Sequence, residues 1–454
     1  MRGLFGTSGI RGVVNVELTP QLALEVGKAI ATLHRGGVLV VGRDTRPSGE
    51  MLEASLIAGA ASCGCDVEAL GLAPTPLTAY TTRALSADTG VSVTASHNPP
   101  EYNGLKPFDS SGMAYGEERR RAVEEVIRSE AYTPSEWSGI GLVEEIEATP
   151  LYLDAILRDL ELQRAWRVAC DLMNGATAVT APEALKAAGC EGVYLNANPD
   201  GYFPSGVPEP RGETLRRLGE VVRSSEAQVG FAFDGDGDRV MFVDEDGVAP
   251  TPDRVLAAYA AYVVERCRGG VIVTHVGASM CVDEAVRLAG GRVIRTRVGD
   301  AYVAEALMRR GGVFGGEPVG AWIHPDVHPC PDGLLSALRL LGALEERDVS
   351  LSEFVAEIPE YPLLRGKVRC PNPLKGRVMA LLRERWGEHL GGVLSTSTVD
   401  GLRLELGDGW LLMRPSGTEP VIRLTAEAES RSRAEELMER GRGLVEEAVR
   451  RSGG

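Results

Sequence analysis

The sequence reads TASHNPPEYNGLK from residue 94 to residue 106. This stretch follows a mostly apolar run at 90–93, which predicts a strand, and it opens with a proline-rich turn. Ser96 is therefore expected at a strand end, with His97 beside it and Lys106 ten residues later. The chain has five lysines against 43 arginines, so composition alone is a poor explanation for Lys106. A hydroxyl nucleophile close to a cation and an imidazole suits covalent transfer of an anionic group.

Helix and strand patterns alternate around this stretch, through the first 130 residues. A helix is predicted between the Thr-Pro pair at 19–20 and the glycine pair at 36–37, because threonine caps helices and proline suits their first turn. Ser48 predicts the start of a second helix, which ends near Gly64. Wholly or largely apolar strands are expected at 38–41 and 67–70. The alternation predicts an α/β domain with a largely parallel sheet.

The strand and helix alternation restarts twice before the pattern changes near Pro362. The strands expected in this part lie at 168–172, 229–233, 240–243, 271–274 and 293–296, and the helices at 181–188, 253–266, 279–288 and 302–309. The last part is α+β, with a strand-rich middle at 395–406, 409–413 and 421–426 and a closing helix at 431–449. At 454 residues the chain is too long for one core. We predict three α/β domains at 1–149, 150–249 and 250–362, followed by a smaller α+β domain at 363–454.

Composition excludes several classes of partner. The net charge of -16 argues against nucleic acid or an anionic membrane as the main partner, so an anionic substrate would need a local concentration of positive charge. The N-terminus has no apolar stretch typical of a signal peptide, and the longest apolar run, at 255–264, is too short to span a bilayer. We therefore expect a cytoplasmic protein. The eight cysteines are scattered without a CxxC pair, which favours free thiols over a disulfide framework.

A second chemical pattern is the acidic block DGDGDR at 234–239, between two apolar strands. The carboxylates Asp234, Asp236 and Asp238 would repel one another without a cation, and hard oxygen ligands of this kind suit Mg²⁺. Their spacing also matches the start of an EF-hand loop, with Glu245 in the twelfth position. A strand and an arginine stand where that loop needs further ligands and glycine, so we favour a catalytic divalent site over an EF-hand or a metal-free turn.

Four further blocks are weaker when each is taken alone. The block GGEPVGAW at 315–322 places one carboxylate among glycines, as in a loop that approaches a ligand hydroxyl or in a plain surface turn. The block RPSGTEP at 414–420 combines an arginine, two hydroxyls and a flexible glycine, which favours an anion site over a simple turn. The block GTSGIRG at 6–12 is another glycine-rich loop with an arginine. In GRDTR at 42–46, an internal ion pair and direct ligand contact are equally compatible with the pattern.

Together and in this order, the blocks resemble the α-D-phosphohexomutase family, which includes phosphoglucomutases, phosphomannomutases and phosphoglucosamine mutases. The resemblance covers essentially the whole chain, and TASHNP with DGDGDR at this separation is its most specific part. It implies mixed-sheet α/β domains and a smaller α+β domain around a central cleft. The activity implied is transfer of a phosphoryl group between the C6 and C1 oxygens of a hexose phosphate, through a phosphoserine enzyme and a hexose 1,6-bisphosphate.

The resemblance also assigns expected roles to residues. Ser96 would carry the phosphate and, with the three aspartates of the acidic block, would hold Mg²⁺. Lys106 would be the general acid/base, assisted by His97, and as a base it would need a depressed pKa. The remaining expected positions are Arg11 and Arg239 near the same phosphate, Glu317 and Val319 in the sugar loop, and Arg414, Ser416, Gly417, Thr418 and Arg423 around the distal phosphate of the substrate.

The sugar and some alternatives stay open at this point. Many family members have serine where Val319 stands, so sugar selectivity is unsettled. Overall likeness favours phosphoglucosamine mutase, and a phosphoglucomutase/phosphomannomutase of broad specificity is the alternative. An inactive phosphosugar-binding relative and a metal-dependent sugar phosphatase are less favoured. His324, His328 and Cys330 form a possible zinc pattern, although three ligands in a proline-rich loop favour a structural or substrate-lining role.

Overall fold

The structure is a computed structural model, and it describes residues 3–6, 9–388, 390–417 and 419–453. Thr418 of the predicted distal phosphate site lies outside the described residues. Within the described part, separate β-sheets follow one another along the chain and define four domains.

The first domain contains a mixed sheet in the order β1-β5-β4-β2-β3-β6. Its strands are β1 Ile10–Val13, β2 Val38–Arg43, β3 Asp66–Leu72, β4 Thr89–Val93, β5 Tyr102–Asp109 and β6 Val143–Glu145. Its helices are α1 Pro20–His34, α2 Gly49–Ser62, α3 Thr75–Ala84 and α4 Glu117–Ser129. Strand β4 is buried along its whole length, as the apolar run predicts, and β5 runs antiparallel to it. Ser48 precedes α2 but does not cap it, since its hydroxyl accepts a hydrogen bond from Asn103 instead.

The second domain places the acidic block at the end of a strand pair. Its sheet has the order β10-β9-β7-β8, with β7 Arg167–Asp171, β8 Glu191–Leu195, β9 Val229–Phe233 and β10 Val240–Val243. Its helices are α5 Thr149–Leu157, α6 Ala181–Ala187 and α7 Glu213–Ser225. Because β9 and β10 are adjacent and antiparallel, the loop at 234–239 is a tight connection at one sheet edge.

The third domain brings several strand ends to one edge. The sheet order is β12-β11-β13-β14, with β11 Val271–His275, β12 Arg292–Thr296, β13 Phe314–Gly316 and β14 Trp322–Ile323. The helices are α8 Pro252–Arg266, α9 Met280–Leu288, α10 Asp300–Arg310, α11 Gly333–Arg347 and α12 Leu351–Ala356. Strands β12, β11 and β13 are parallel, so their carboxyl ends meet at the same side of the sheet.

The fourth domain has an antiparallel sheet in the order β15-β19-β18-β17-β16. Its strands are β15 Leu363–Arg369, β16 Val393–Ser397, β17 Leu402–Leu406, β18 Gly409–Pro415 and β19 Val421–Ala428. Its helices are α13 Lys375–Arg385 and α14 Arg431–Gly453. The strand-rich segment expected over 395–406 consists of β16 and β17, which a turn separates. Gly401 in that turn has φ 94°, which favours glycine.

The hydrophobic interior explains how the domains are held together. The largest core cluster runs through the second and third domains and includes Tyr152, Phe231, Trp322 and Leu338, while the fourth domain has its own cluster around Leu404 and Ile422. All eight cysteines are free thiols, as expected. Among the described residues, no helix has both the length and the apolar composition needed to cross a membrane. The exact domain limits stay predictions.

Candidate active site

Ser96 lies in a tightly constrained loop directly after β4. Its backbone has φ 52°, the left-handed conformation that is uncommon for residues other than glycine, and its side chain is fully buried. The Ser96 amide donates to the hydroxyl of Thr94 at 2.8 Å, which helps to hold this backbone. The Ser96 Oγ is 2.6 Å from Asp234 Oδ2 and 3.2 Å from His97 Nδ1. The serine hydroxyl therefore meets the acidic loop of the second domain.

Arg46 holds the loop that contains Ser96 in place through its backbone. Its guanidinium pairs with Asp44 at 2.9 Å, and both side chains are fully buried. The same guanidinium donates to four backbone carbonyls of the loop at 2.6–2.8 Å, those of Ser96, Asn98, Pro99 and Tyr102. Of the two alternatives for GRDTR, the structure has the internal ion pair, and Arg46 organises the loop through its backbone.

The three aspartates of the acidic loop are buried and close together. One side-chain ligand atom from each lies within 4.8 Å of the others. Asp234 accepts from Ser96, Asp236 accepts from Thr75 at 2.7 Å, and Asp238 accepts from Lys106 at 2.7 Å. The second oxygens of Asp236 and Asp238 are buried without a hydrogen-bond partner. Such unpaired buried oxygens are costly unless a cation meets them.

This donor set fits a hard divalent cation. Burial, and then the charges of Asp236 and Asp238, raise the pKa of Asp234 well above its usual range. Carboxylate oxygens of this number and type are ligands that Mg²⁺ prefers. The strands β9 and β10 flank the loop, so the helix–loop–helix frame of an EF-hand is absent from these described residues.

Lys106 is a buried ammonium at the meeting point of three domains. It lies on β5 of the first domain, and its Nζ is 2.7 Å from Asp238 of the second and 3.3 Å from Asp300 of the third. Burial alone would lower the pKa of Lys106, but the two carboxylates outweigh burial and raise it well above its ordinary value. This direction is opposite to the depressed pKa that a general base would need, and it favours the ammonium form of Lys106.

Two arginines, Arg11 and Arg239, lie near the loop that contains Ser96. Arg11, on β1, lies 3.4 Å from the side-chain oxygen of Asn98. Arg239 lies 3.7 Å from Asp238 and 4.0 Å from Asp234, too far for hydrogen bonds, and its Nε is buried without a hydrogen-bond partner among the described residues. Burial, followed by Arg239 and Arg11, lowers the pKa of His97 to about 3, so the imidazole is neutral.

Glu317 stands at the end of β13 in the predicted sugar loop. Its Oε1 accepts from the backbone N–H of Gly299 at 2.8 Å, and the side chain is largely buried. Burial and then the charge of Asp300 raise its pKa to about 7. Val319, at the tip of the same loop, is 46% exposed and faces the central cavity. Gly320 has φ 84° and packs on Val240, where a Cβ would lie 2.1 Å from a backbone oxygen.

A row of cations crosses the fourth sheet near the predicted distal phosphate site. Arg414 on β18 stands directly opposite Arg423 on β19, and Arg423 stands directly opposite Lys367 on β15. Like charges in register are unfavourable unless an anion lies between them. The counter-ions in the structure are Asp400, 3.3 Å from Arg414, and Glu419, which pairs with both Arg423 and Lys367.

Lys375 holds the backbone of the loop between β18 and β19. Lys375 Nζ donates to the carbonyl oxygens of Ser416 and Glu419 at 2.5 Å each, and the Ser416 hydroxyl accepts from the Glu419 amide. Gly417 lies in the same loop and is exposed.

A cavity of about 1400 Å³ extends from Arg239, beside the buried triad, to the fourth sheet. Arg239 lines it at the acidic loop, Val319 at the sugar loop, and Arg414 and Arg423 at the fourth sheet. Basic residues dominate its charged lining although the chain is acidic overall. The positive charge needed for an anionic substrate is thus concentrated in a cleft between domains.

Models of a known family match the chain in four consecutive segments. They are described as phosphoglucomutase/phosphomannomutase, alpha/beta/alpha domains I, II and III, at residues 2–133, 150–247 and 251–361, and the C-terminal domain at 367–453. The chain belongs to the phosphoglucomutase/phosphomannomutase family. The resemblance seen in the sequence blocks is confirmed, as is the fold of three mixed-sheet α/β domains and a smaller C-terminal domain.

Individual relatives match this chain over almost its whole length. A probable phosphoglucosamine mutase of Methanopyrus kandleri is 46% identical and another of Pyrococcus abyssi is 42% identical, with 98% and 99% of each pair of chains covered. The crystal structure of a phosphoglucomutase/phosphomannomutase family protein from Burkholderia thailandensis is 30% identical, with a TM-score of 0.89 over 98% of this chain and 97% of that one.

Sequence reasoning missed several residues of this site. His275 ends β11, and Asp300, Thr75 and Lys375 each begin a helix, and none of the four stands in one of the sequence blocks. Their only sequence signal is position at the edge of a predicted strand or helix. In the zinc pattern, His324 bonds Ser336 and His328 bonds Asp332, and within the described residues the aspartate triad alone forms a group suited to a metal.

Proposed function

We propose that this protein is a phosphoglucosamine mutase, which interconverts glucosamine 6-phosphate and glucosamine 1-phosphate. The observation that carries the proposal is the contact of the Ser96 hydroxyl with Asp234, inside a buried carboxylate triad whose neighbour Arg239 lines the cleft. The names of the full-length relatives support the choice of sugar.

In this proposal Ser96 carries the phosphoryl group. The free hydroxyl of the bound hexose phosphate attacks the phosphorus, the bond from phosphorus to Ser96 Oγ breaks, and a sugar 1,6-bisphosphate forms. That intermediate turns end for end, and Ser96 Oγ takes the other phosphoryl group, releasing the isomeric monophosphate. The left-handed backbone of Ser96 and its fastening by Arg46 support this role, because they hold Oγ at one fixed place.

The residues around Ser96 would stabilise charge and handle the proton. Asp234, Asp236 and Asp238, together with the phosphorylated Ser96, would hold Mg²⁺, which neutralises charge on a transferring phosphoryl group. Arg239 and Arg11 would bind its remaining oxygens. Lys106, which lies between Asp238 and Asp300, would give a proton to the departing oxygen.

The far end of the cleft would hold the phosphate that is not being transferred. Arg414, Arg423 and the backbone of Ser416 and Gly417 would clamp it, and Thr418 belongs to the same proposed site. The register of like charges on β18, β19 and β15 supports this role, since a phosphate would relieve their repulsion. Glu317 would accept hydrogen bonds from the sugar between the two ends, with Val319 at the loop tip.

The test is a coupled mutase assay with Mg²⁺ and catalytic 1,6-bisphosphate on glucosamine, glucose and mannose phosphates. A preference for glucosamine phosphate above about tenfold in kcat/KM, or roughly 1.4 kcal/mol, supports the proposal. Equal turnover of glucose and mannose phosphates would instead indicate a broad phosphohexomutase. Release of inorganic phosphate without isomerisation would indicate a phosphatase, and no reaction would indicate a binding protein.

The Ser96→Ala variant tests the assigned carrier. It should lose multiple turnover and the mass increment of one phosphate that the wild-type protein gains with bisphosphate. Ser55→Ala is the matched control, because Ser55 lies on α2 and bonds only the carbonyl of Met51. Substantial isomerisation by Ser96→Ala would sink the assignment.

A further inference from the structure

His275 is a buried imidazole that the proposed mechanism does not use. It is the last residue of β11, where the carboxyl ends of three parallel strands meet. The neighbouring strand β13 ends one residue before Glu317, so the two side chains arise from adjacent strand ends. His275 also lines the central cavity.

The hydrogen bonds of the ring decide which nitrogen can donate. The backbone N–H of Gly277 donates to His275 Nδ1 at 2.9 Å, so Nδ1 is an acceptor and carries no hydrogen. In a neutral imidazole the proton then resides on Nε2. A Cβ at position 277 would lie 3.3 Å from the ring carbon Cε1, so the glycine leaves the imidazole the space it occupies.

The surrounding charges keep the ring neutral. Burial, followed by the nearby Arg295, lowers the pKa of His275 to about 3, and Arg414 and Arg365 act in the same direction. The ring can therefore donate to a ligand through Nε2, while its one acceptor, Nδ1, is already used by the Gly277 amide.

His275 Nε2 and Glu317 Oε1 are 3.8 Å apart, which is too long for a hydrogen bond. The donor His275 Nε2 at the cavity wall and the acceptor Glu317 Oε1, which takes a hydrogen bond from the Gly299 amide, thus lie side by side without bonding each other. Neighbouring polar groups on a sugar ring, one accepting and one donating, would match this pair.

We propose that His275 is a substrate-contacting residue, whose Nε2–H donates to a sugar oxygen adjacent to the group that Glu317 accepts from. The inference rests on the proposed hexose phosphate substrate and adds a specificity determinant to it. A ring that only donates favours an oxygen over an ammonium at its own position. An ammonium on the sugar would then be directed to the carboxylate of Glu317.

The test compares His275→Leu with wild-type protein on a full hexose phosphate and on a series of monodeoxy hexose phosphates. The variant should lose about 10- to 100-fold in kcat/KM on the full substrate, the loss expected for one hydrogen bond to a buried partner. On the one monodeoxy compound that lacks the partner oxygen, variant and wild type should react almost equally. An equal loss on every compound, or no loss on any, would overturn the inference.

Two further variants separate contact from structure. His275→Gln keeps a donor near the Nε2 position and should stay within about tenfold of wild type, and a larger loss overturns the inference. If His275→Leu does not fold, this criterion alone decides. His34→Leu is the control, because His34 lies on α1 and bonds Tyr115 away from the cleft.

Metal binding and wild-type turnover give independent readouts. Mn²⁺ affinity should be unchanged in His275→Leu, whereas a parallel loss of Mn²⁺ binding and activity would show general damage to the site and refute a direct contact. Turnover of hexose phosphates by wild-type protein tests the proposed function by itself. A working wild type with an unaffected His275→Leu therefore refutes only this inference.

Discussion

Glu317→Gln should make the stability of this protein less sensitive to alkaline pH. The pKa of Glu317 is raised from 4.5 to about 7, first by burial and then by Asp300. Below pH 4.5 the carboxyl is protonated in both folded and unfolded protein, and its favourable contribution is fully present. As pH rises through about 7 the folded protein must ionise a buried carboxyl, so that contribution is lost.

The magnitude follows from the separation of the two pKa values. They differ by about 2.5, and each unit corresponds to about 1.4 kcal/mol, which gives an upper limit near 3 kcal/mol. Part of this is already lost at pH 5, so glutamine should gain about 2 to 3 kcal/mol on wild type between pH 5 and pH 8. Glutamine can still accept from the Gly299 amide, so the loop geometry should survive.

The measurement is urea unfolding of both proteins at pH 5 and pH 8, with chelator present, combined with hydrogen exchange of amides in the third domain. Hydrogen exchange is needed because a protein of several domains need not unfold in one step. Glu305→Gln, at a half-buried position of α10 where the carboxylate pairs with Arg309, controls for the change in net charge. A difference between Glu317→Gln and wild type that is the same at both pH values would refute the reasoning.

Three other outcomes follow from the site. Asp236→Asn should weaken Mn²⁺ binding in calorimetry by at least about tenfold, because it replaces one oxygen of the triad, and unchanged affinity would remove Asp236 from the metal site. Arg46→Ala should lower the free energy of unfolding by about 3 kcal/mol or more. Arg46→Lys should lower it by nearly as much, since a lysine cannot reach four carbonyls. Resistance of the loop to proteolysis equal to that of the wild type, in either variant, would contradict this. Arg414→Ala should raise KM about 10- to 100-fold through loss of a charge-assisted phosphate contact, and a normal KM would place the distal phosphate elsewhere.

The acidic loop was predictable because its chemistry is local. Three carboxylates within five residues must share one cation or repel, and two flanking apolar strands leave only a tight turn for them. The serine loop was predictable for the same reason. The protonation of Lys106 was not, since its partners Asp238 and Asp300 come from other domains and reverse the sign expected from burial.

Residues that act through backbone or through strand ends could not be identified from sequence. Arg46 stands in a motif, but nothing in the letters GRDTR indicates that its partners are carbonyls about 50 residues away. His275 closes an ordinary apolar strand, and its proximity to Glu317 depends on the strand order β12-β11-β13. For Ser48 the local pattern predicts a helix cap, but its hydroxyl instead accepts a hydrogen bond from the distant Asn103.

The ammonium of Lys106 has a consequence for how the protein is made. It joins residues 106, 238 and 300, so no N-terminal fragment that ends before α10 contains the complete contact. During synthesis Lys106 lacks its partner Asp300 until α10 has been made, and the core cluster shared by the second and third domains is incomplete until the third has folded. Arg414 and Arg423 of the proposed distal phosphate site come later still in the chain, so catalytic competence should be a late event of biogenesis, and a nascent chain that stalls before α10 should be inert.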